Sequence, residues 1–435
     1  MENNNKLKRF FDVYIPTEKC NFTCSYCYVG QEGKASGEIM PIGHTPKEVR
    51  KALSKKRLGG VCFLNFCGGG ETLLGDDILP IIYELLDEGH FIQIVTNGTI
   101  TKRFCEISIW DSELISRLFF KFSFHYLELK KRNCMDLFFD NIQLMRSKGC
   151  SISVEVMPHD ELIPYADEIK EICLEKVKAF PHLTVGRDNT TSELKLLSRF
   201  TKEQDGGGVW SSFDSDMFRY KMLMFGKEQR QFCYAGEWSC SLRIDTGDLF
   251  QCNGLACVDN IYDRLDEELH FRAVGNQCPY PHCWNCHAYL CLGVVPDVDA
   301  PTYASMRDRV CTDGSRWLND KVREFFSQKL ETNNRKYTES EKRLINESAA
   351  LTRQNYKQQQ LITQYKIENV EYKNWVENLQ VQVDDRLKEL AEYKDWVNNL
   401  QIQLEEFNKE KQVYKDWVNN LQIEIENLKK GKEII

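Results

Sequence analysis

Short apolar runs alternate with amphipathic segments over the first 190 residues. Runs rich in aromatic and β-branched residues predict six strands, and apolar positions at helical spacing predict helices between them. The predicted strands are Phe10–Ile15, Val61–Phe66, Phe91–Thr96, Phe119–Phe124, Ser151–Met157 and Leu183–Val185. The predicted helices include Pro46–Lys56, Asp77–Gly89, Leu137–Lys148 and Pro164–Val177. Since repeated βα units build a parallel sheet and six are too few to close an eight-stranded barrel, residues 1–190 predict an α/β fold, an open, partial (β/α)6 TIM-like barrel.

The regular alternation stops after residue 190. Residues 191–232 favour a connector, in which Gly206-Gly207-Gly208 indicates a turn or a flexible loop. Residues 233–312 contain two short strand-like runs, Ser241–Ile244 and Leu249–Gln251, together with many cysteines. This stretch predicts a small cysteine-rich α+β module.

The last hundred residues repeat every 21 residues, which equals three heptads. The motif Tyr-Lys-Asn/Asp-Trp-Val begins at Tyr372, Tyr393 and Tyr414. Position a then holds Val376, Val383, Leu390, Val397, Leu404, Lys411, Val418 and Ile425, and position d holds Leu379, Arg386, Tyr393, Leu400, Phe407, Tyr414, Leu421 and Leu428. Nearly all are apolar, so residues 351–435 predict a long α-helical coiled coil and a homo-oligomer, preceded by a helical linker at 313–350.

The heptads leave some features of this assembly open. Valine at a with leucine at d favours a parallel dimer, although a trimer remains compatible. Trp375, Trp396 and Trp417 fall at position g, beside the seam. They either widen the apolar stripe of a higher-order bundle, which we prefer, or form docking points for a partner protein.

Composition narrows the class of protein. The formal net charge of −8 and the lack of a basic stripe argue against nucleic acid as a partner. No run of about 18 apolar residues occurs, so no integral membrane segment is expected. The amino-terminal residues do not resemble an export signal, and we expect a cytoplasmic location. Because a reducing cytosol keeps thiols free, the 18 cysteines favour metal clusters over disulfides.

Three of these cysteines, Cys20, Cys24 and Cys27, follow the first predicted strand, where barrels place active-site loops. Three thiolates can bind three irons of a four-iron cube and leave the fourth iron open to a small molecule. Alone, such a loop could also be a fragment of a zinc site. The segment Cys20-Asn21-Phe22-Thr23-Cys24-Ser25-Tyr26-Cys27 resembles the signature of the radical S-adenosylmethionine (SAM) superfamily. That resemblance implies that Tyr26 packs near the adenine of SAM.

Two further segments strengthen the resemblance. Cys67-Gly68-Gly69-Gly70-Glu71-Thr72 follows the second strand and resembles the GGE segment of the superfamily, which implies that Gly68, Gly69, Gly70 and Glu71 bind the methionyl amino group. Thr96-Asn97-Gly98 closes the third strand as in the superfamily and adds Asn97 to the SAM site. Taken alone, each segment could be a plain turn.

The later strands offer weaker candidates. Ser123 and His125 lie at the end of strand four, and Glu155 lies on strand five. Each could reach the ribose or the methionine of SAM, or could have a structural role.

The second cysteine group resembles the SPASM and twitch extensions of radical SAM enzymes, which hold auxiliary 4Fe-4S clusters. The spacing Cys233-x13-Gly247-x4-Cys252, with Cys240 between, matches well, whereas Cys283-x2-Cys286-x4-Cys291 lacks the final cysteine. Twitch-like ligation would use Cys233, Cys252, Cys283 and Cys286. One cluster is therefore expected, and a second stays open with Cys257, Cys278 and Cys311 as spare ligands. A zinc ribbon is the alternative.

Together these resemblances imply a radical SAM enzyme with a SAM-binding 4Fe-4S cluster, SAM, one or two auxiliary 4Fe-4S clusters, and a flavodoxin or ferredoxin as reductant. SAM would be cleaved to a 5′-deoxyadenosyl radical that takes a hydrogen atom from a substrate. A peptide or protein side chain and a sugar or glycan precursor are both compatible substrates. The competing hypothesis is a coiled-coil assembly or scaffold protein whose iron–sulfur or zinc sites are structural.

Overall fold

The structure is a computed structural model that describes residues 5–31, 37–189, 195–199, 208–276 and 278–432. Gly206 and Gly207 of the predicted glycine turn, and parts of the predicted connector, lie outside the described residues. The chain divides into two units, residues 1–356 and 357–435.

One sheet organises the first unit. Within the described residues its strands are β1 (Arg9–Ile15), β2 (Cys62–Gly68), β3 (Phe91–Thr96), β4 (Leu118–Ser123), β5 (Ser151–Val156), β6 (His182–Leu183), β7 (Ser239–Arg243), β8 (Asp248–Phe250) and β9 (Cys257–Asn260), in the order β6-β5-β4-β3-β2-β1-β7-β8-β9. Neighbours from β1 to β6 are parallel. The six predicted strands are thus confirmed, as is the open α/β barrel-like fold.

Helices connect and cover these strands. They are α1 (Tyr28–Gln31), α2 (Pro46–Ala52), α3 (Lys55–Leu58), α4 (Ile78–Glu88), α5 (Thr101–Ile107), α6 (Ser112–Ile115), α7 (Tyr126–Lys131), α8 (Met135–Ser147), α9 (Ala166–Val177), α10 (Gly208–Ser211), α11 (Asp216–Met224), α12 (Cys286–Tyr289), α13 (Tyr303–Arg307), α14 (Asp320–Phe326), α15 (Leu330–Asn333) and α16 (Glu339–Lys432). Short 3-10 helices span Thr72–Leu74 and Asp160–Tyr165.

Two predicted helices differ from the observed ones. The single helix predicted over Pro46–Lys56 is two helices, because Ser54 adopts an extended conformation and α3 begins after it. The helix predicted from Pro164 begins at Ala166, since Pro164 lies within the preceding 3-10 helix. Proline supplies no backbone N–H and disfavours a helical conformation in the residue before it.

The inward face of the sheet is layered. At the amino ends of the strands, Phe10, Phe63 and Phe91 pack in one aromatic cluster with Phe325 and Phe326 of α14. The ring centroids of Phe91 and Phe325 are 3.7 Å apart. Residues of the predicted linker 313–350 therefore fill this end of the barrel, and the free space lies towards the carboxyl ends of the strands.

The cysteine-rich stretch continues the same sheet. Strand β7 pairs with β1 in parallel, with Phe10 opposite Ser239. Strands β8 and β9 then add in antiparallel fashion. The domain boundaries proposed from the sequence remain a prediction, but β7 fixes the residues after Cys233 against the first strand of the barrel.

The second unit consists of the carboxyl-terminal part of α16. Its a and d side chains are exposed along the chain, as in Val376 (57%) and Leu400 (42%). The three tryptophans at position g are about 60% exposed as well. No helix of the described residues is long and apolar enough to span a membrane.

The exposed heptad positions generate a first prediction. Removing residues 357–435 should lower the number of subunits in the assembly, because the apolar seam that would bury the a and d side chains is lost. Size-exclusion chromatography with light scattering measures the mass. An assembly of unchanged subunit number after truncation would contradict the coiled-coil prediction.

Candidate functional site

The three-cysteine loop follows the carboxyl end of β1. The amide of Cys27 donates to the Cys24 carbonyl (3.2 Å), and α1 begins directly afterwards. The amide of Phe22 lies 3.4 Å from the Cys20 sulfur. Cys20 is exposed, whereas Cys24 and Cys27 are partly buried.

The three thiols lie close enough to influence one another. Burial raises the pKa of the Cys24 thiol to about 12, and the charges of Cys27 and Cys20 act in the same direction. Burial, Glu71 and Cys27 likewise raise the pKa of Cys20. A bound cationic cluster would reverse this effect, because a coordinating thiol is deprotonated. The donor set therefore fits an iron–sulfur cluster.

The glycine segment after β2 packs directly on this loop. The Gly70 amide donates to the Thr17 carbonyl (2.6 Å), and the Glu71 amide donates to the Lys19 carbonyl (3.0 Å). A Cβ added to Gly70 would overlap the carbonyl group of Lys19. Glycine is required here because only a backbone without a side chain approaches so closely.

Glu71 joins the ends of two strands. Its buried carboxylate accepts hydrogen bonds from the Thr96 hydroxyl (2.6 Å), the Asn97 amide (2.7 Å) and the Leu73 amide (3.1 Å). Burial raises the pKa of Glu71, and these hydrogen bonds oppose that effect. Both oxygens of Glu71 thus bind protein groups, while Gly68 and Gly69 line the central cavity.

Asn97 ties β3 to the cysteine loop. Its Nδ2 donates to Asn21 Oδ1 (2.6 Å), and Asn21 Nδ2 donates to the Thr99 hydroxyl (2.8 Å). The Asn97 side chain also lowers the pKa of Cys20, opposing the burial of that thiol. The signature cysteines, the glycine segment and the end of β3 therefore form one connected unit.

The remaining candidates for the SAM site lie in different surroundings. Tyr26 lines the central cavity, and its hydroxyl lies 2.7 Å from His125 Nδ1. The centroids of the Tyr26 and His159 rings are 4.0 Å apart, with the rings tilted by 32°. Glu155 is buried and forms ion pairs with Lys121 and Arg307. Ser123 ends β4 but is not among the described residues that line the cavity.

The cavity has a volume of about 760 Å³ and lies inside the barrel. A polar layer forms its floor. Asn65 Nδ2 donates to Asp12 Oδ1 (2.7 Å), and Asn285 Nδ2 donates to Asp12 Oδ2 (3.1 Å). Gln93 donates to Asn65 and accepts from the Tyr303 hydroxyl (2.6 Å). Burial raises the pKa of Asp12. These hydrogen bonds join residues of the first three strands to residues 285 and 303, far along the chain, in one network.

A second, smaller cavity of about 30 Å³ lies in the cysteine-rich region. Four cysteines line it: Cys233, Cys252, Cys278 and Cys283. Burial raises the pKa of Cys233, and Cys278 and Cys252 reinforce the shift. From the sequence, Cys278 is expected only as a spare ligand, and its position five residues before Cys283 is the signal that could have found it.

The other three predicted ligands do not line this small cavity. Cys240 is buried on β7, Cys286 begins α12, and Cys291 is buried close to Lys329. Among the described residues, no three cysteine, histidine or acidic side chains approach closely enough to hold a single metal ion. A four-iron cube distributes its ligands over separate irons, so its cysteines are farther apart.

Residues 14–111, which contain the cysteine loop, the glycine segment and the end of β3, match the family model of the Radical SAM superfamily. Over these residues the chain is similar to the Radical SAM superfamily, whose members bind SAM and a 4Fe-4S cluster. None of the curated proteins compared with the chain is significantly similar to it.

Several solved structures are similar to this chain. SuiB of Streptococcus suis bound to precursor peptide SuiA is 15% identical, with a TM-score of 0.41 over 60% of this chain and 64% of that one. The anSMEcpe structure with bound AdoMet and Cp18Cys peptide is 14% identical, with a TM-score of 0.40 over 59% and 78%. BtrN in an open conformation is 16% identical, with a TM-score of 0.27 over 61% and 79%. With TM-scores this low, these likenesses support nothing about substrate or reaction.

The close approach at Gly70 generates a second prediction. Gly70→Ala should destabilise the protein by about 1–3 kcal/mol or more, because the Lys19 backbone must move to admit a methyl group. The displaced loop should also bind less iron. Thermal unfolding and iron content measure both effects. Gly30→Ala is the matched control, since a Cβ there would meet no atom closer than 4.0 Å, and equal behaviour of the two variants would refute the packing argument.

Proposed function

We propose that the chain is a radical SAM enzyme that cleaves SAM reductively and abstracts a hydrogen atom from a substrate in the 760 Å³ cavity. The carrying observation is the position of the Cys20–Cys27 loop. It lies within the matched residues 14–111 and follows the carboxyl end of β1, next to strands whose inward side chains line that cavity. Barrel enzymes place their chemistry at this end.

The loop residues would hold the cluster through Cys20, Cys24 and Cys27. When bound, the cluster supplies the electron that splits SAM into methionine and a 5′-deoxyadenosyl radical. Gly68 and Gly69 offer backbone without side chains at the cavity wall, which allows a ligand to approach closely. Tyr26 contributes an aromatic face at the same wall, held by His125 and His159.

The barrel would position the substrate and exclude water. Below the cavity, the aromatic cluster of Phe10, Phe63 and Phe326 is buried and closes the amino end. Between this aromatic cluster and the cavity, Asp12 and Lys121 provide titratable groups at the cavity floor. Burial raises the pKa of Asp12 and lowers that of Lys121 to about 8. Both pKa values thus move towards neutral pH, which is the direction that suits groups taking part in proton transfer.

An auxiliary 4Fe-4S cluster at Cys233, Cys252, Cys278 and Cys283 is the second part of the proposal. Four cysteines meet the ligand requirement of such a cluster. Four cysteines also suit zinc. The metal content of the reconstituted site separates the two.

The substrate would be a peptide or protein side chain or a sugar or glycan precursor. A flavodoxin or ferredoxin would supply the electron, and α16 would assemble copies of the chain through its exposed heptads. The competing scaffold function shares this helix but requires no SAM cleavage. SAM cleavage therefore distinguishes the two functions, whereas the oligomeric state does not.

The auxiliary site generates a third prediction. In a Cys20/Cys24/Cys27→Ala background, anaerobically reconstituted protein should retain about four irons per chain, since one cluster remains. Adding Cys278→Ala should reduce that iron and its absorbance strongly, whereas adding Cys257→Ala, an exposed cysteine on β9, should not. Loss with Cys286→Ala but not with Cys278→Ala would show that the twitch-like ligand set is correct instead.

The central reaction generates a fourth prediction. Reconstituted protein given dithionite and SAM should form 5′-deoxyadenosine, detected by mass spectrometry, because the open iron binds SAM. Cys24→Ala should reduce the product to background, and Cys105→Ala, an exposed cysteine on α5, should not. If cluster-replete wild-type protein forms no product, the scaffold function is favoured.

A further inference from the structure

The charge of the central cavity differs from that of the chain. The chain carries a net charge of −8. Among the described residues that line the cavity, however, five are cationic and two are acidic. The cationic residues are Lys121, Arg187, Lys221, Arg243 and Arg307, and the acidic ones are Asp12 and Glu18. A wall of this sign favours a ligand with negative charge.

Internal ion pairs account for several of these cations. Lys121 and Arg307 both pair with Glu155. Arg243 pairs with Asp245 at 3.5 Å. Each of these three cations thus has a protein carboxylate within 4.0 Å.

Lys221 is the exception. This partly buried residue of α11 has no carboxylate within 4.0 Å of its Nζ among the described residues. Its Nζ donates instead to the Thr184 hydroxyl at 2.6 Å. The ionisable groups that act on Lys221 are the Cys286 thiol, Lys121 and Arg187. A partly buried ammonium without a counter-ion is costly, and a negative ligand would offset that cost.

Other donors surround Lys221 on the same side of the cavity. Arg187 lies beyond β6, with its guanidinium 4.3 Å from the centroid of the Trp284 ring. His287 on α12 also lines the cavity, and its buried Nδ1 has no partner among the described residues. Lysine, arginine and hydroxyl donors are the groups that bind phosphate and carboxylate oxygens in proteins.

We propose that Lys221, Thr184 and Arg187 form a subsite for an oxyanion of the substrate, either a phosphate or a carboxylate. This inference deepens the proposed function, because it rests on the cavity being the place where substrate binds. It restricts both open substrate classes to their anionic members. A phosphorylated sugar precursor and an acidic peptide satisfy it, whereas a neutral glycan does not.

The test measures binding of two small probes to the full-length, cluster-replete protein by calorimetry. The probes are inorganic phosphate and succinate, at constant ionic strength and with saturating SAM so that the SAM site is filled. The variants are Lys221→Met, Lys221→Arg and Lys227→Met, which removes an exposed lysine just after α11. Far-ultraviolet circular dichroism and thermal unfolding confirm that each variant folds.

Wild-type protein should bind at least one probe. Lys221→Met should lower the affinity for that probe about tenfold, which corresponds to the loss of one charged hydrogen bond. Lys221→Arg should bind within a few-fold of wild type, and Lys227→Met should match wild type. Preference for phosphate or for succinate identifies the substrate oxyanion. No binding of either probe, or equal loss with Lys221→Met and Lys227→Met, would overturn the subsite. Formation of 5′-deoxyadenosine by the same preparations reports separately on the proposed function.

Discussion

The structure depends on the contact between the backbone of Gly70 and the backbone of Lys19. Two hydrogen bonds, from Gly70 to Thr17 and from Glu71 to Lys19, connect the end of β2 to the segment that carries the three cysteines. A side chain at Gly70 would not fit. The buried Glu71 carboxylate then fixes this junction to Thr96 and Asn97 at the end of β3. A cluster-binding loop needs such support because three thiolates held close together repel one another unless a metal cluster binds them.

The inward face of the barrel combines packing and polarity in separate layers. Phenylalanines at the amino ends of the strands exclude water, and one layer higher Asp12, Asn65 and Gln93 satisfy one another by hydrogen bonds. Asn285 and Tyr303 complete this network from far along the chain. The cysteine-rich region therefore contributes directly to the cavity in which we propose that substrate binds.

Much of this arrangement was predictable from the sequence. The strands are predictable because their segments are rich in aromatic and β-branched residues, as in Phe91–Thr96 of β3. The signature cysteines and glycines have fixed spacings, so the sequence alone located them. Other features depend on tertiary contacts. The SAM-binding role of Glu71 stays a prediction, and its contacts with Thr96, Asn97 and Leu73 are ones that no local pattern reveals. Cys278 joins the small cavity through folding, and Phe325 fills the barrel although its segment resembled a linker.

The central claim is that Cys20, Cys24 and Cys27 hold a cluster with an iron open to SAM. Electron paramagnetic resonance of a Cys233→Ala/Cys278→Ala variant, reduced with dithionite, isolates this cluster from the auxiliary one. We expect the spectrum to change when SAM is added, because SAM would bind the iron that lacks a protein ligand. A cluster whose spectrum is identical with and without SAM would contradict the account.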